Sequence, residues 1–154
     1  MAEPLHVTFV CTGNICRSPM AQNIFRRALE DAGLDGKVRV SSAGIGDWHV
    51  GQPADARART ELTSNGYDDE HTAAQVGPDH LGADLLIAMD TGHAAALRKA
   101  GAGDRTRLMR SFDPDADDVD VADPYYGSDK DFTTVRTQIE AAMPGLLDWV
   151  RTRV

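Results

Sequence analysis

The sequence predicts an α/β fold, a parallel sheet covered by helices on both faces, built as one domain over residues 1–154. Three observations carry that expectation. Short runs of β-branched and aromatic residues alternate with helical patterns along the chain, the signature of consecutive βα units. At 154 residues the chain has the length of one domain, with no repeat, linker or low-complexity segment to divide it. Its 42% hydrophobic residues suffice for a core, and its two cysteines sit in one short segment, where they cannot staple distant parts together.

The elements follow in order. Leu5–Val10 reads as a strand that ends in the turn-prone Cys11-Thr12-Gly13-Asn14. Ser18-Pro19 has the form of an N-cap followed by a first-turn proline, and Met20, Ile24, Phe25, Ala28 and Leu29 recur at helical spacing up to Gly33. Val38–Ser41 is a short second strand, and Ala54–Ser64 a helix closed by Asn65-Gly66. Tyr67–Gly82 is polar and irregular. Ala83–Met89 then reads as a buried third strand with Asp90 at its end, followed by a helix over His93–Ala100 and a brief strand at Arg107–Met109. Eight aspartates crowd the loop from Asp113 to Asp131. The last helix, Asp131–Val150, is carried by Phe132, Val135, Ile139, Met143, Leu146 and Val150, with a kink expected at Pro144.

Composition narrows the function classes. A net charge of −8 with no Lys/Arg cluster argues against nucleic acid or an anionic membrane as partner. No apolar stretch approaches the roughly 20 residues of a membrane span. The first residues, Met1-Ala2-Glu3-Pro4-Leu5-His6, lack the form of a secretory signal, so a cytoplasmic protein is expected, and a monomer.

Parallel sheets place their sites in loops at the carboxyl ends of strands, which points at Cys11, Asp90 and Ser42. The loop Cys11-Thr12-Gly13-Asn14-Ile15-Cys16-Arg17-Ser18 bridges a strand end and a helix start. A loop wound around a helix N-terminus turns backbone N–H groups inward and makes a cradle for a tetrahedral anion. Gly13 and Asn14 tolerate the left-handed backbone that such a tight ring requires. Arg17 supplies a planar fork for two phosphate oxygens. The same donors stabilise a thiolate, which makes Cys11 a candidate nucleophile, and Ser18 can donate to that sulfur or cap the helix. Taken alone, a buried apolar Cys11 would fit its place equally well. A thiolate attacking a phosphoester also needs an acid for the leaving oxygen, and Asp123, in Asp123-Pro124-Tyr125-Tyr126-Gly127, is the candidate. Spacing alone does not separate it from its solvated neighbours.

The run from Val7 to Pro19, together with Asp123–Gly127, closely resembles the low-molecular-weight protein tyrosine phosphatases. The likeness spans nearly the whole chain and includes Ser42-Ala43-Gly44, Asp47-Trp48, His71 and Met89-Asp90 in family order. It implies a flavodoxin-like, doubly wound sheet of four parallel strands, with Cys11 as nucleophile, Arg17 as phosphate binder and transition-state stabiliser, and Asp123 as general acid. It implies no metal and no cofactor. Thr12, Gly13, Asn14, Ile15, Cys16 and Ser18 would form the phosphate loop, supported through Asn14 by Ser18, Ser42 and His71. Trp48 and Tyr125 would wall the phosphotyrosine cleft, with His49 and Tyr126 at its rim. The resemblance further implies phosphotyrosine proteins as partners, a reversible disulfide between Cys11 and Cys16, and a cognate tyrosine kinase acting on Tyr125 or Tyr126.

Several alternatives stand beside this reading. Arsenate reductases of this fold pass oxidation to downstream cysteines, and none follows Cys16. Protein-arginine phosphatases of the same family carry threonine where this loop has Ile15, an apolar residue better suited to an aromatic ester. A non-catalytic phosphotyrosine reader would be expected to lack the nucleophile or the acid. Asp113, Asp115 and Asp117 alternate like the opening of a calcium loop, but Asp118 stands where that loop needs glycine and Pro124 where it needs glutamate. Zinc on Cys11 and Cys16 would lack two ligands.

Overall fold

The computed structural model describes residues 3–154. Its centre is a sheet of four parallel strands in the order β2-β1-β3-β4, formed by β1 (Leu5–Cys11), β2 (Val38–Gly44), β3 (Leu85–Ala88) and β4 (Thr106–Leu108). Five α-helices connect and follow them: α1 (Arg17–Asp31), α2 (Ala56–Ser64), α3 (Pro78–Leu81), α4 (Thr91–Lys99) and α5 (Asp129–Arg151).

Alternation along the strands divides the core between the two faces. Val7, Phe9 and Cys11 of β1 and Leu85 and Ile87 of β3 join the larger cluster, with Met20, Ile24 and Phe25 of α1 and Phe132, Ile139 and Leu146 of α5. Val10, Leu86 and Ala88 face the other way, against Leu97 of α4 and Ala102. Both faces are thus covered, as the alternation of strands and helices predicts.

Boundaries differ where tertiary contacts override local preference. β2 continues through Ser42, Ala43 and Gly44, poor strand formers, because each pairs in register with Phe9, Val10 and Cys11. α1 starts at Arg17 with Cys16 at its N-cap, so Ser18 does not cap it; its hydroxyl is engaged inside the loop. α2 starts at Ala56 because Asp55 is its N-cap, accepting from the Arg57 N–H. A single turn, α3, lies in the stretch expected to be irregular, with Pro78 leading it. β3 is shorter than expected, and the carboxylate of Asp84 just before it accepts from the His6 N–H. α5 starts two residues early, where the Ser128 N–H donates to Asp131 Oδ2, and it continues as one helix through Pro144.

The order 2-1-3-4 reverses direction between β1 and β3, so a crevice opens outside their carboxyl ends. The loops after β1 and β3 meet there. Among the described residues no helix is long and apolar enough to cross a membrane.

Candidate active site

The loop from Cys11 to Arg17 curls from the end of β1 onto the N-terminus of α1 and floors a cleft of about 460 Å³. Cys11 and Arg17 are 3% and 2% exposed, yet both open into that cleft. The loop closes tightly because Asn14 adopts φ +58°, a left-handed conformation that asparagine tolerates. β2 reaches the ring through Gly44, where a Cβ would come within 2.9 Å of Gly13 C and Thr12 O. Beyond β2, the Ile45 and Gly46 N–H groups donate to the Cys11 and Thr12 carbonyls at 2.9 and 3.0 Å.

The Asn14 side chain organises the space behind the loop. The Ala74 N–H donates to Asn14 Oδ1 at 2.9 Å, which fixes the amide's orientation. Its Nδ2 then donates both protons, to Ser18 Oγ at 2.7 Å and Ser42 Oγ at 2.9 Å. Ser42 then donates to Gln22 Oε1 at 2.7 Å, and Ser18 Oγ lies 2.8 Å from Cys11 Sγ, a contact in which the hydroxyl is the donor once the sulfur is a thiolate. His71 Nε2 donates to the Asn14 carbonyl at 2.7 Å. Burial lowers the pKa of His71 against the opposing pull of that bond. Asn14, Ser18, Ser42 and His71 thus lie beneath the loop and outside the cleft itself.

Arg17 is held from behind. Its Nη1 donates to Asp90 Oδ2 and to the Val121 carbonyl, both at 2.9 Å, while Nη2 lies 3.4 Å from Thr12 Oγ1 and 3.6 Å from Asp123 Oδ2. One edge is anchored and the other reaches the open side, the arrangement a planar anion clamp requires. Burial raises the Asp90 carboxyl, but the His93 N–H and Arg17 outweigh it and hold the group below the ordinary carboxylate range. His93 contacts Thr12 Oγ1 through Nε2 at 2.8 Å, and its Nδ1 lies 3.2 Å from Asp90 Oδ1, off the line of a hydrogen bond. Burial, with the Arg17 charge, pushes His93 down to about 4, so it stands neutral.

Trp48 and Tyr125 form walls of the cleft, His49 and Tyr126 its rim, and Ile15 adds an apolar patch to the floor. Trp48 is 67% exposed; it packs over Gly46, where an added Cβ would fall 1.9 Å from its ring, and takes no part in the core. Asp123 stands on the open side, its Oδ1 accepting from the Tyr125 N–H at 3.1 Å. Tyr126 is 95% exposed, whereas Tyr125 is braced by Arg57. Cys16 is buried beside Cys11 on the loop, and both thiols are free. Burial first, then the charges of Asp55 and Cys11, push the Cys16 thiol well above its ordinary range.

Sequence reasoning missed several participants. Asp90 stands out as an acid at a strand's carboxyl end, and it does cap α4, but its grip on Arg17 has no mark in the spacing. His93, Gln22, Asp55, Arg57 and the Val121 carbonyl carry no motif at all. Among the described residues no cluster of three or more His, Cys, Asp or Glu is placed to hold a metal.

Comparison with known proteins gives the family. The family model for low molecular weight phosphotyrosine protein phosphatase matches residues 6–154. The low molecular weight protein-tyrosine phosphatase A of Mycobacterium tuberculosis is 55% identical over 157 aligned positions, covering 100% of this chain and 96% of that protein. Among solved structures, a protein tyrosine phosphatase from Entamoeba histolytica superposes with a TM-score of 0.91 at 30% identity, over 96% of this chain and 97% of that one. A Drosophila arginine phosphatase superposes at 0.88 with 26% identity, over 96% and 99% of the two chains. By the match over nearly its entire length, this chain belongs to the low molecular weight phosphotyrosine protein phosphatase family.

Proposed function

We propose that the protein hydrolyses phosphotyrosine in proteins through a cysteinyl-phosphate. The observation that carries this is the convergence, in one cleft, of a buried cysteine 2.8 Å from the Ser18 hydroxyl, an arginine with one edge turned to the open side, and a carboxyl across from it. The Cys11 thiolate attacks phosphorus and forms an S–P bond as the P–O bond to the phenol breaks. Asp123 gives its proton to the departing oxygen, and Arg17 stabilises the charge on the phosphoryl group in flight. Water then attacks the cysteinyl-phosphate, Asp123 takes its proton, and orthophosphate leaves with the thiolate restored. The sequence consumes water only.

Trp48, Tyr125 and the apolar Ile15 support a flat aromatic ester over phosphoarginine, whose guanidinium needs a polar neighbour. Of the two loop tyrosines, the exposure of Tyr126 supports it as the acceptor for a cognate kinase. The test is phosphate release from matched phosphotyrosine, phosphoserine and phosphoarginine peptides without added metal. Release from phosphotyrosine is expected to fall on the order of 10⁴-fold or more in Cys11→Ser. A preference for phosphoarginine would overturn the substrate reading, and binding without turnover would make the protein a reader.

A further inference from the structure

The carboxyl assigned as acid is held by little of its own. The Asp123 side chain is 47% exposed, and its contacts are the Tyr125 N–H at 3.1 Å and Arg17 Nη2 at 3.6 Å. Proton delivery to a leaving oxygen demands placement within a fraction of an ångström, so something must hold the Tyr125 backbone. That backbone is gripped one peptide further on. Arg57 Nη2 donates to the Tyr125 carbonyl at 2.9 Å, and Nη1 to the Gly127 carbonyl at 3.2 Å. The turn between them is closed by the Gly127 N–H donating to the Pro124 carbonyl at 2.9 Å.

Arg57 is itself fixed to the phosphate loop. Its Nε and Nη2 meet Asp55 Oδ1 and Oδ2 at 3.1 and 3.0 Å, a two-point pairing that sets the guanidinium plane. The Asp55 N–H donates to the Ile15 carbonyl at 2.8 Å. The guanidinium also lies 4.6 Å over the Phe132 ring of α5. A continuous chain of contacts therefore runs from the cradle floor, Ile15, through Asp55 and Arg57 to the backbone on both sides of Tyr126.

We propose that Arg57 is a positioning residue for the general acid, setting the distance between the phosphate cradle and Asp123 through the Tyr125 and Gly127 carbonyls. This rests on the assignment of Asp123 as acid. Arg57 touches neither substrate nor the reacting atoms; it acts through the Tyr125 and Gly127 carbonyls, beside the Tyr125 ring that it braces. Its loss should therefore matter in proportion to the need for a proton: greatly for a strongly basic leaving group such as phenolate, hardly for 2,4-dinitrophenolate.

The experiment measures kcat/KM, which reports P–O cleavage, for phenyl phosphate and 2,4-dinitrophenyl phosphate with Arg57→Met. That variant keeps the aliphatic stem on Phe132 and removes the carbonyl bonds. Arg57→Lys, which retains a charge beside Asp55, is measured alongside in case the first folds poorly. Expected is a loss of roughly 10-fold or more on phenyl phosphate, less than about 2-fold on the dinitrophenyl ester, and an unchanged inhibition constant for inorganic phosphate. In an Asp123→Ala background the Arg57 substitution should change neither rate. Equal losses on both esters, no loss on phenyl phosphate, weakened phosphate inhibition, or a full effect persisting without Asp123 would each overturn the proposal. If Asp123→Ala alone shows no dependence on the leaving group, the acid assignment fails, and that result is distinct from a failure at Arg57.

Discussion

The two loops that face each other across the cleft are held by opposite means. The phosphate loop, Cys11 to Arg17, has a polar network behind it in which almost every donor and acceptor is buried and paired. The acid loop, Asp123 to Gly127, is largely exposed and is tied down through its backbone carbonyls by a single side chain. The contrast follows the chemistry. A cradle must present fixed dipoles to a dianion at no reorganisation cost, whereas an acid must meet the leaving oxygen and then admit water.

Two substitutions would test that contrast most severely. Asp123→Ala is expected to lower kcat/KM for phosphotyrosine peptide by on the order of 10²- to 10⁴-fold, with stability within about 0.5 kcal/mol of the parent. Asn14→Ala should lower both. It places alanine at φ +58°, removes the donor to two buried hydroxyls and leaves the Ala74 N–H without its acceptor, for a combined loss of about 2–5 kcal/mol in denaturant unfolding. Asn14→Gly relieves the backbone strain, so it should recover about 1 kcal/mol without restoring turnover. Equal destabilisation by Asp123→Ala would erase the distinction between the loops.

A smaller effect should appear with pH. The folded-state pKa of His93, about 4, lies below its ordinary 6.5, so between those values the unfolded chain takes up a proton that the folded protein refuses. Stability should therefore be fully present above pH 6.5 and fall as pH drops towards 4. His6, His71 and His80, lowered by burial, add in the same sense. His93→Gln should make the decline shallower in melting curves, and an unchanged slope would show that His93 does not titrate as its surroundings dictate.

The smallest expected difference concerns the second thiol. Because Cys16 is held protonated, it should resolve an oxidised Cys11 slowly but still protect it. Peroxide-treated protein should regain activity with dithiothreitol, and Cys16→Ser should regain less. Equal recovery would remove the disulfide from the account.

Much of this architecture was legible in the residues. The β-branched and aromatic run of β1 and the helical spacing in α1 and α5 located the sheet and its principal covering helices, because a strand buried on both faces leaves such a run and a helix buried on one face a periodic trace. Cys11, Arg17 and Asp123 were legible through the loop's motif and its likeness to a family. The supports were not. Arg57 acts through carbonyls 68 and 70 residues away, and His93 through a threonine 81 residues away, and contacts made across such distances leave no spacing to read. Ser18 was legible by half: a serine before a proline reads as a cap, which it is not, but its contact with the sulfur seven positions back was among its expected roles.

The parking of Trp48 over Gly46 has a practical consequence. The chain contains two tryptophans, and the other, Trp149, lies on α5 with the Arg153 guanidinium 4.0 Å above its ring. An indole 67% open to solvent at the mouth of the cleft senses a change of dielectric whenever an aryl group settles beside it, while its half-buried twin lies outside the cleft. The molecule carries its own fluorescent gauge of occupancy, readable without a label.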